Sequence, residues 1–238
     1  MKNPTMGCLQ IAQMISKNFD FTIDKNTVHR ILKKYLPSSG PGDNESWLAL
    51  FGVSKDKLWS MDLFRVESGM FQSYWVMVVI DLFTRRIIGF SVRRGDVTAA
   101  SDCWMFGEIC VGRRPPKYLS TDWDGLFRSH IWEAGLRVRE IQHIRSVAET
   151  PWSHSYIESV IGKIRYECTD RILFLHRRQL QDRLNEYKEY FNEQRPHSSL
   201  SGRTPEQFGN DSEIARASME NFRWTKKCRG LFHVPTVG

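Results

Sequence analysis

From residue 58 onward, apolar positions fall into short strand-like runs separated by polar turns. LWSMDLFRV (58–66) alternates around one internal acid, SYWVMVVID (73–81) is almost continuously apolar, and RRIIGFSV (85–92) follows a break at Thr84-Arg85-Arg86. Three such runs joined by short turns predict an antiparallel meander. Beyond it the period changes. Ala99–Val111 reads as a helix stopped by GRRPP, KYLSTD (117–122) as a fourth strand, Ser129–Ala134 as a helix and RVREIQHI (137–144) as a fifth strand. Ser155–Tyr166 turns Ile157, Ile161 and Ile164 inward, and Arg177–Phe191 is a further amphipathic helix. The order predicts an α/β fold: a mixed five-stranded sheet with helices on both faces.

Ahead of this core, Leu9, Ile11, Ala12 and Ile15 give a short apolar face. Val28, Ile31, Leu32, Tyr35 and Leu36 recur at helical spacing behind Asp24, which stands at an N-cap position. Two short helices joined around Asn18–Thr22 would make a helix-turn-helix, with Lys25, Asn26, His29, Arg30 and Lys33 on the outer face of the second. An ordinary helical hairpin with a solvated polar face fits the same pattern. The chain therefore divides into a helical segment (1–37), a Pro/Ser/Gly-led linker (38–57), a core (58–210) and a basic tail (211–238), in which Arg223, Lys226, Lys227 and Arg229 flank Trp224. Such a tail suits either a DNA-binding arm or a disordered end.

Composition narrows the function. Thirty-four Lys and Arg against 27 Asp and Glu give +7, which favours a polyanionic partner without naming one. Five scattered cysteines (8, 103, 110, 168, 228) form neither a disulfide framework nor a zinc motif and fit a reducing compartment. No apolar run reaches the roughly 18 residues of a membrane span, and MKNPTMGCLQ lacks the features of a signal peptide. A cytoplasmic, DNA-associated protein is the expectation.

The acids carry the chemistry. Asp is depleted from strands, yet Asp62 sits among Trp59, Met61, Leu63 and Phe64, while Asp122 ends a strand and Glu158 lies in the first turn of its predicted helix. Brought together, such carboxylates would repel by roughly 3 kcal/mol per pair at about 5 Å and an effective dielectric near 20. Hard divalent cations remove that conflict, and two of them can serve phosphoryl transfer. Three independently solvated acids are the alternative.

WSMDLF, VVIDLFTRRIIGF, STDWDGLF, PWSHSYIESVIGKIRYECTDRIL and EYKEYFNEQRPHSSLSGRTP together resemble the transposases of bacterial insertion sequences, whose integrase-like, ribonuclease-H-like core is related to retroviral integrases. The similarity runs from about residue 4 to 209. It implies a ribonuclease-H-like sheet and metal-dependent DNA cleavage and strand transfer. It assigns Asp62, Asp122 and Glu158 as catalytic and metal-binding residues, with Mg²⁺ or Mn²⁺, two ions, as cofactor. It also implies double-stranded DNA (element ends and target) as partner, a homo-oligomer on DNA, and neither membrane nor organic cofactor. It favours the helix-turn-helix reading as well. An element-derived DNA-binding protein of weakened activity, and a nuclease that cleaves without joining, remain as alternatives. The family usually has Asn and a small residue before the Glu and Arg after it; here stand His154-Ser155 and Ser159.

Around these residues, His154, Lys163 and Arg165 are candidates for DNA contact, Arg165 sharing Glu158's helical face across Gly162. A solvated Arg165 fits equally. A turn near Met70 would set Asp81 opposite Trp59, about 10 Å along the strand from Asp62, in a structural role. Asp124 suits the turn before Gly125 better than a metal water. Arg195-Pro196-His197 is read as docking its helix to the core.

Overall fold

The computed structural model describes residues 23–35, 55–122, 125–145, 152–200, 202–210 and 222–237. The chain divides into two compact units, Met1–Phe51 and Gly52–Gly238, the boundary falling inside the predicted linker.

In the first unit, helix α1 (Lys25–Tyr35) starts where the sequence places its cap. Asp24 Oδ1 accepts from the Asn26 and Thr27 amides at 2.6 and 2.9 Å, and Oδ2 accepts from Thr27 Oγ1 at 3.0 Å. These bonds satisfy amides that a helix start leaves unpaired, and they hold the Asp24 carboxyl below its ordinary pKa. Val28 is buried, whereas Lys25, Asn26 and Arg30 are exposed. The first predicted helix and its turn lie outside the described residues, as do the side chains of His29 and Lys33.

The second unit is built on one mixed sheet, in the order β3-β2-β1-β4-β5. Strands β1 (Leu58–Glu67), β2 (Ser73–Asp81) and β3 (Ile87–Arg94) form the meander, and β4 (Tyr118–Thr121) and β5 (Gln142–Arg145) add on in parallel. Its side chains alternate between two covered faces, which is why β2 reads as an unbroken apolar run. Trp59, Met61, Met77, Val79 and Leu119 pack under α2 (Ala99–Cys110) and α3 (His130–Val138), against Met105, Phe106, Ile109, Trp132 and Leu136. The opposite face carries α4 (Trp152–Glu167) and α5 (Arg177–Glu193), which bury Ile157, Val160, Ile164, Leu180, Leu184 and Phe191. A short α6 (Pro205–Asn210) follows.

The hairpin turns at Ser68–Gln72, closed by Ser68 N–H to Gln72 O at 2.9 Å, and Asp81 pairs with Trp59 as the sequence predicts. Three boundaries differ. Helix α3 continues to Val138, because Leu136 extends the buried stripe begun by Trp132 one turn earlier, so β5 begins at Gln142 and not at Arg137. Helix α4 begins at Trp152, which puts His154-Ser155 inside its first turn and Glu158 in the second. Residues 222–237 form an antiparallel hairpin of β6 (Phe222–Lys227) and β7 (Phe232–Val237). Its Phe232 stacks on Tyr190 of α5 at 3.9 Å, and Arg229 Nε donates to Glu186 Oε1 at 2.9 Å. Among the described residues no helix is long and apolar enough to cross a membrane.

Candidate active site

Strands β1 and β4 run parallel with Leu58 beside Tyr118, Trp59 beside Leu119 and Ser60 beside Ser120. The same offset carries Asp62 to the level of Asp122, one residue beyond the end of β4. Adjacent strands are about 4.8 Å apart and side chains two residues on share a face. Both aspartates therefore belong to the face of Ser60 and Ser120, which is the α4 side. The two serines are buried and small; the aspartates above them are half-buried. Asp62 Oδ1 accepts from the Leu63 amide at 2.7 Å. Below Asp122, Thr121 Oγ1 meets His143 Nε2 at 2.8 Å, and His143 Nδ1 meets Glu133 Oε1 at 2.9 Å, tying β4 to β5 and α3.

Helix α4 is fastened along this face at two points. The Arg85 guanidinium lies 4.2 Å from the centre of the Tyr156 ring, and Arg165 lies 5.3 Å from that of Phe64. Arg85 stands in the β2–β3 turn, beside the Asp81–Trp59 end of β1, while Phe64 is two residues past Asp62. Between these anchors α4 carries Glu158, and β1 carries Asp62. Glu158 is exposed, and a Cβ added at Gly162 would meet nothing within 4 Å, so this side of α4 is open. Burial pushes the Tyr156 hydroxyl up to about 12. Among the described residues no three His, Cys, Asp or Glu side chains stand close enough to hold a metal ion. Continued two residues past its last pair, the β1–β4 register sets Asp62 level with Asp122, on the face over which the helix bearing Glu158 packs.

The remaining candidates separate. Asp81 is fully buried and accepts from Thr84 Oγ1 at 2.8 Å and from the Phe83 and Asp56 amides at 3.0 and 3.1 Å; burial raises its pKa. Those bonds close the β2–β3 turn. Lys163 is half-buried near Arg195, Arg85 and Glu167, apart from Arg165, and burial followed by the Arg195 charge lowers its pKa. Arg195 forks onto Glu167, with Nη2 to Oε1 at 2.7 Å and Nε to Oε2 at 3.0 Å, and Tyr187 Oη donates to Oε2 at 2.9 Å. This three-residue knot joins the end of α4 to α5. His197 is buried edge-to-face against Phe191 at 4.5 Å, and burial, then Arg195, lowers its pKa to about 4. The side chains of His154 and Trp152, and residues 123–124, lie outside the described residues. Sequence reasoning missed the Arg85–Tyr156 anchor and the His143–Thr121 link. Its one signal for the former was the Arg pair after Thr84.

The family model described as "Integrase core domain" matches residues 139–205, from just before β5 to the start of α6. A Xanthomonas euvesicatoria protein named "Insertion element IS476 uncharacterized 39.2 kDa protein" is 27% identical over 186 residues, 78% of this chain and 49% of its own length. "Transposase InsF for insertion sequence IS3A" of Escherichia coli K12 is 27% identical over 165 residues, 67% of this chain and 56% of its own length. The chain spans about half the length of the curated relatives it matches. A chain of the cryoEM structure of simian T-cell lymphotropic virus intasome in complex with PP2A regulatory subunit B56 gamma superposes with a TM-score of 0.56. That match is 15% identical and covers 78% of this chain and 68% of the other. Sheet order, helix placement and this likeness define a ribonuclease-H-like core of the integrase type. Within that class, the sequence is similar to the insertion-sequence transposases.

Proposed function

We propose that the chain is the catalytic subunit of a DNA transposase, cutting a strand at an element end and joining the freed 3′-hydroxyl to target DNA. The observation that carries this reading is the Asp62–Asp122 pair at one level on adjacent parallel strands, beneath the helix that holds Glu158. Two carboxylates about 5 Å apart repel by roughly 3 kcal/mol at an effective dielectric of 20, which makes the pair a poor structural device. Hard carboxylate oxygens, with no thiolate or imidazole among them, suit Mg²⁺ or Mn²⁺. Asp62 and Asp122 would hold such ions from the sheet and Glu158 from α4. When bound, two divalent ions supply activation of the attacking oxygen and neutralisation of the leaving one.

The protein's own part is positioning. The buried serines fix the floor, and the anchors at Arg85 and Arg165 set the distance of α4 from β1. Arg165 stands where a phosphate passing Gly162 can be held, and on α1 the exposed Lys25, Asn26 and Arg30 suit a DNA groove. In the first step water attacks phosphorus and the 3′-oxygen of the cut strand leaves as a free hydroxyl. In the second that hydroxyl attacks a target phosphorus and displaces the target strand's own 3′-oxygen, so no protein nucleophile is needed. Recognition of two ends and a target suits a homo-oligomer on DNA.

The test uses a labelled duplex carrying the DNA that flanks the gene, with Mg²⁺ or Mn²⁺. Cleavage followed by joined product is expected. Cleavage without joining would make the protein a nuclease, and binding with neither reaction would make it an element-derived DNA-binding protein.

A further inference from the structure

On the outer edge of the sheet, a cavity of about 290 Å³ opens beside β3 between α2 and α5. Two guanidinium groups in its wall are held by backbone carbonyls. Arg113 Nη1 donates to Ile109 O at 2.7 Å, and Arg177 Nη1 donates to Val92 O of β3 at 3.1 Å. Gln181 Nε2 donates to Phe90 O at 3.0 Å, so α5 side chains cover the edge strand and keep this wall in place. At Gly89 an added Cβ would come within 2.9 Å of Ile109 Cγ2 and 3.5 Å of Arg113 Nη1; glycine lets α2 and Arg113 close onto the strand.

Lys188 is the third cation of the wall. It is half-buried, and burial, then the Arg113 charge, lowers its pKa. Among the described residues no carboxylate forms an ion pair with Arg113, Arg177 or Lys188. Glu108 also lines the cavity, but its Oε2 accepts from Ser91 Oγ at 2.6 Å. In the wall three cations meet one carboxylate, Glu108, which keeps its charge while bonded to Ser91; Glu189, outside the lining, also acts on Lys188, and the wall itself stays net positive. Each guanidinium has five N–H donors and commits one to a carbonyl, leaving planar forks suited to oxyanions. The volume, near the lower end of ligand-sized pockets, exceeds the needs of bare phosphate and suits a phosphate with attached sugar.

We propose that this pocket is a phosphate site, in which Arg113 and Arg177 fork onto the anion and Lys188 supplies a point charge. Its ligand is a phosphate group, either the DNA backbone or a free phosphate compound. It lies two strands from β1 and does not rest on the carboxylate centre.

The test measures thermal unfolding of the full chain in sodium phosphate against sodium chloride of equal ionic strength. Phosphate at about ten times its Kd should raise the wild-type Tm by roughly 3–6 °C. Arg177→Gln and Lys188→Gln should lose most of that rise. Lys188→Arg, and Arg114→Gln outside the pocket, should keep it. An equal rise in all variants, or none in the wild type, overturns the site. Duplex binding across salt then identifies the source. If DNA occupies the pocket, the double variant Arg177→Gln/Lys188→Gln should flatten the log–log salt slope by about 1.8, or 0.9 per contact. An unchanged slope with a lost phosphate response assigns the site to a free phosphate compound.

Discussion

Glu158 and Arg165 sit seven residues apart on one face of α4, yet their surroundings differ. Glu158 is exposed, while Arg165 rests on the Phe64 ring. Glu158→Gln keeps shape and helix propensity and removes the charge that would hold a cation. Single-turnover cleavage should fall at least about a hundredfold with DNA affinity largely kept. Arg165→Ala should weaken DNA binding, lower the salt slope by about 0.9 for one lost phosphate contact, and leave part of the cleavage at saturating DNA. Equal loss of binding in both variants would indicate a folding defect. An unchanged slope for Arg165→Ala would leave that side chain a packing role on Phe64.

At the scale of elements, α4 is located by its end as much as by its apolar stripe. Glu167→Ala would leave the half-buried Arg195 without its carboxylate and remove the acceptor of Tyr187, and should cost about 2 kcal/mol in urea unfolding. His197 adds a pH signature. Its folded pKa near 4 lies below the ordinary 6.5, so between these values the unfolded chain binds a proton that the folded chain does not. Its contribution to stability should be full above pH 6.5 and should fall by on the order of 3 kcal/mol as pH drops towards 4. His197→Gln should show a flatter profile over that window, and equal profiles would contradict the assignment. Element type was legible because period 2 and period 3.6 differ plainly across 58–94 and 177–193, and the turn near Met70 was enough to pair Asp81 with Trp59. The ends of α3 and α4 were not, since they depend on burial of Leu136 and on packing against β1. Nor was the hold of Arg85 on Tyr156, whose partners are distant in sequence and meet only in the fold.

For the whole molecule, the two units should have separable tasks. Removing residues 1–37 should abolish selective binding while weak, salt-sensitive binding by the core persists, because phosphate contacts carry no sequence information. Equal site preference after truncation would contradict a recognition role for α1. The aspartate pair was legible as two unusual acids at strand positions, but their common level depended on the parallel register of β1 and β4, which no local pattern encodes. That pairing is also the point at which the functional account stands or falls. The most direct measurement is metal-dependent single-turnover cleavage of an element-end duplex by wild type, Asp62→Asn and Asp122→Asn, with unfolding monitored alongside. Each variant should stay folded, with a Tm in chelator no lower than wild type because carboxylate repulsion is relieved. Each should gain less Tm from Mg²⁺ and lose cleavage by about a thousandfold or more. Undiminished cleavage by both folded variants would contradict the account.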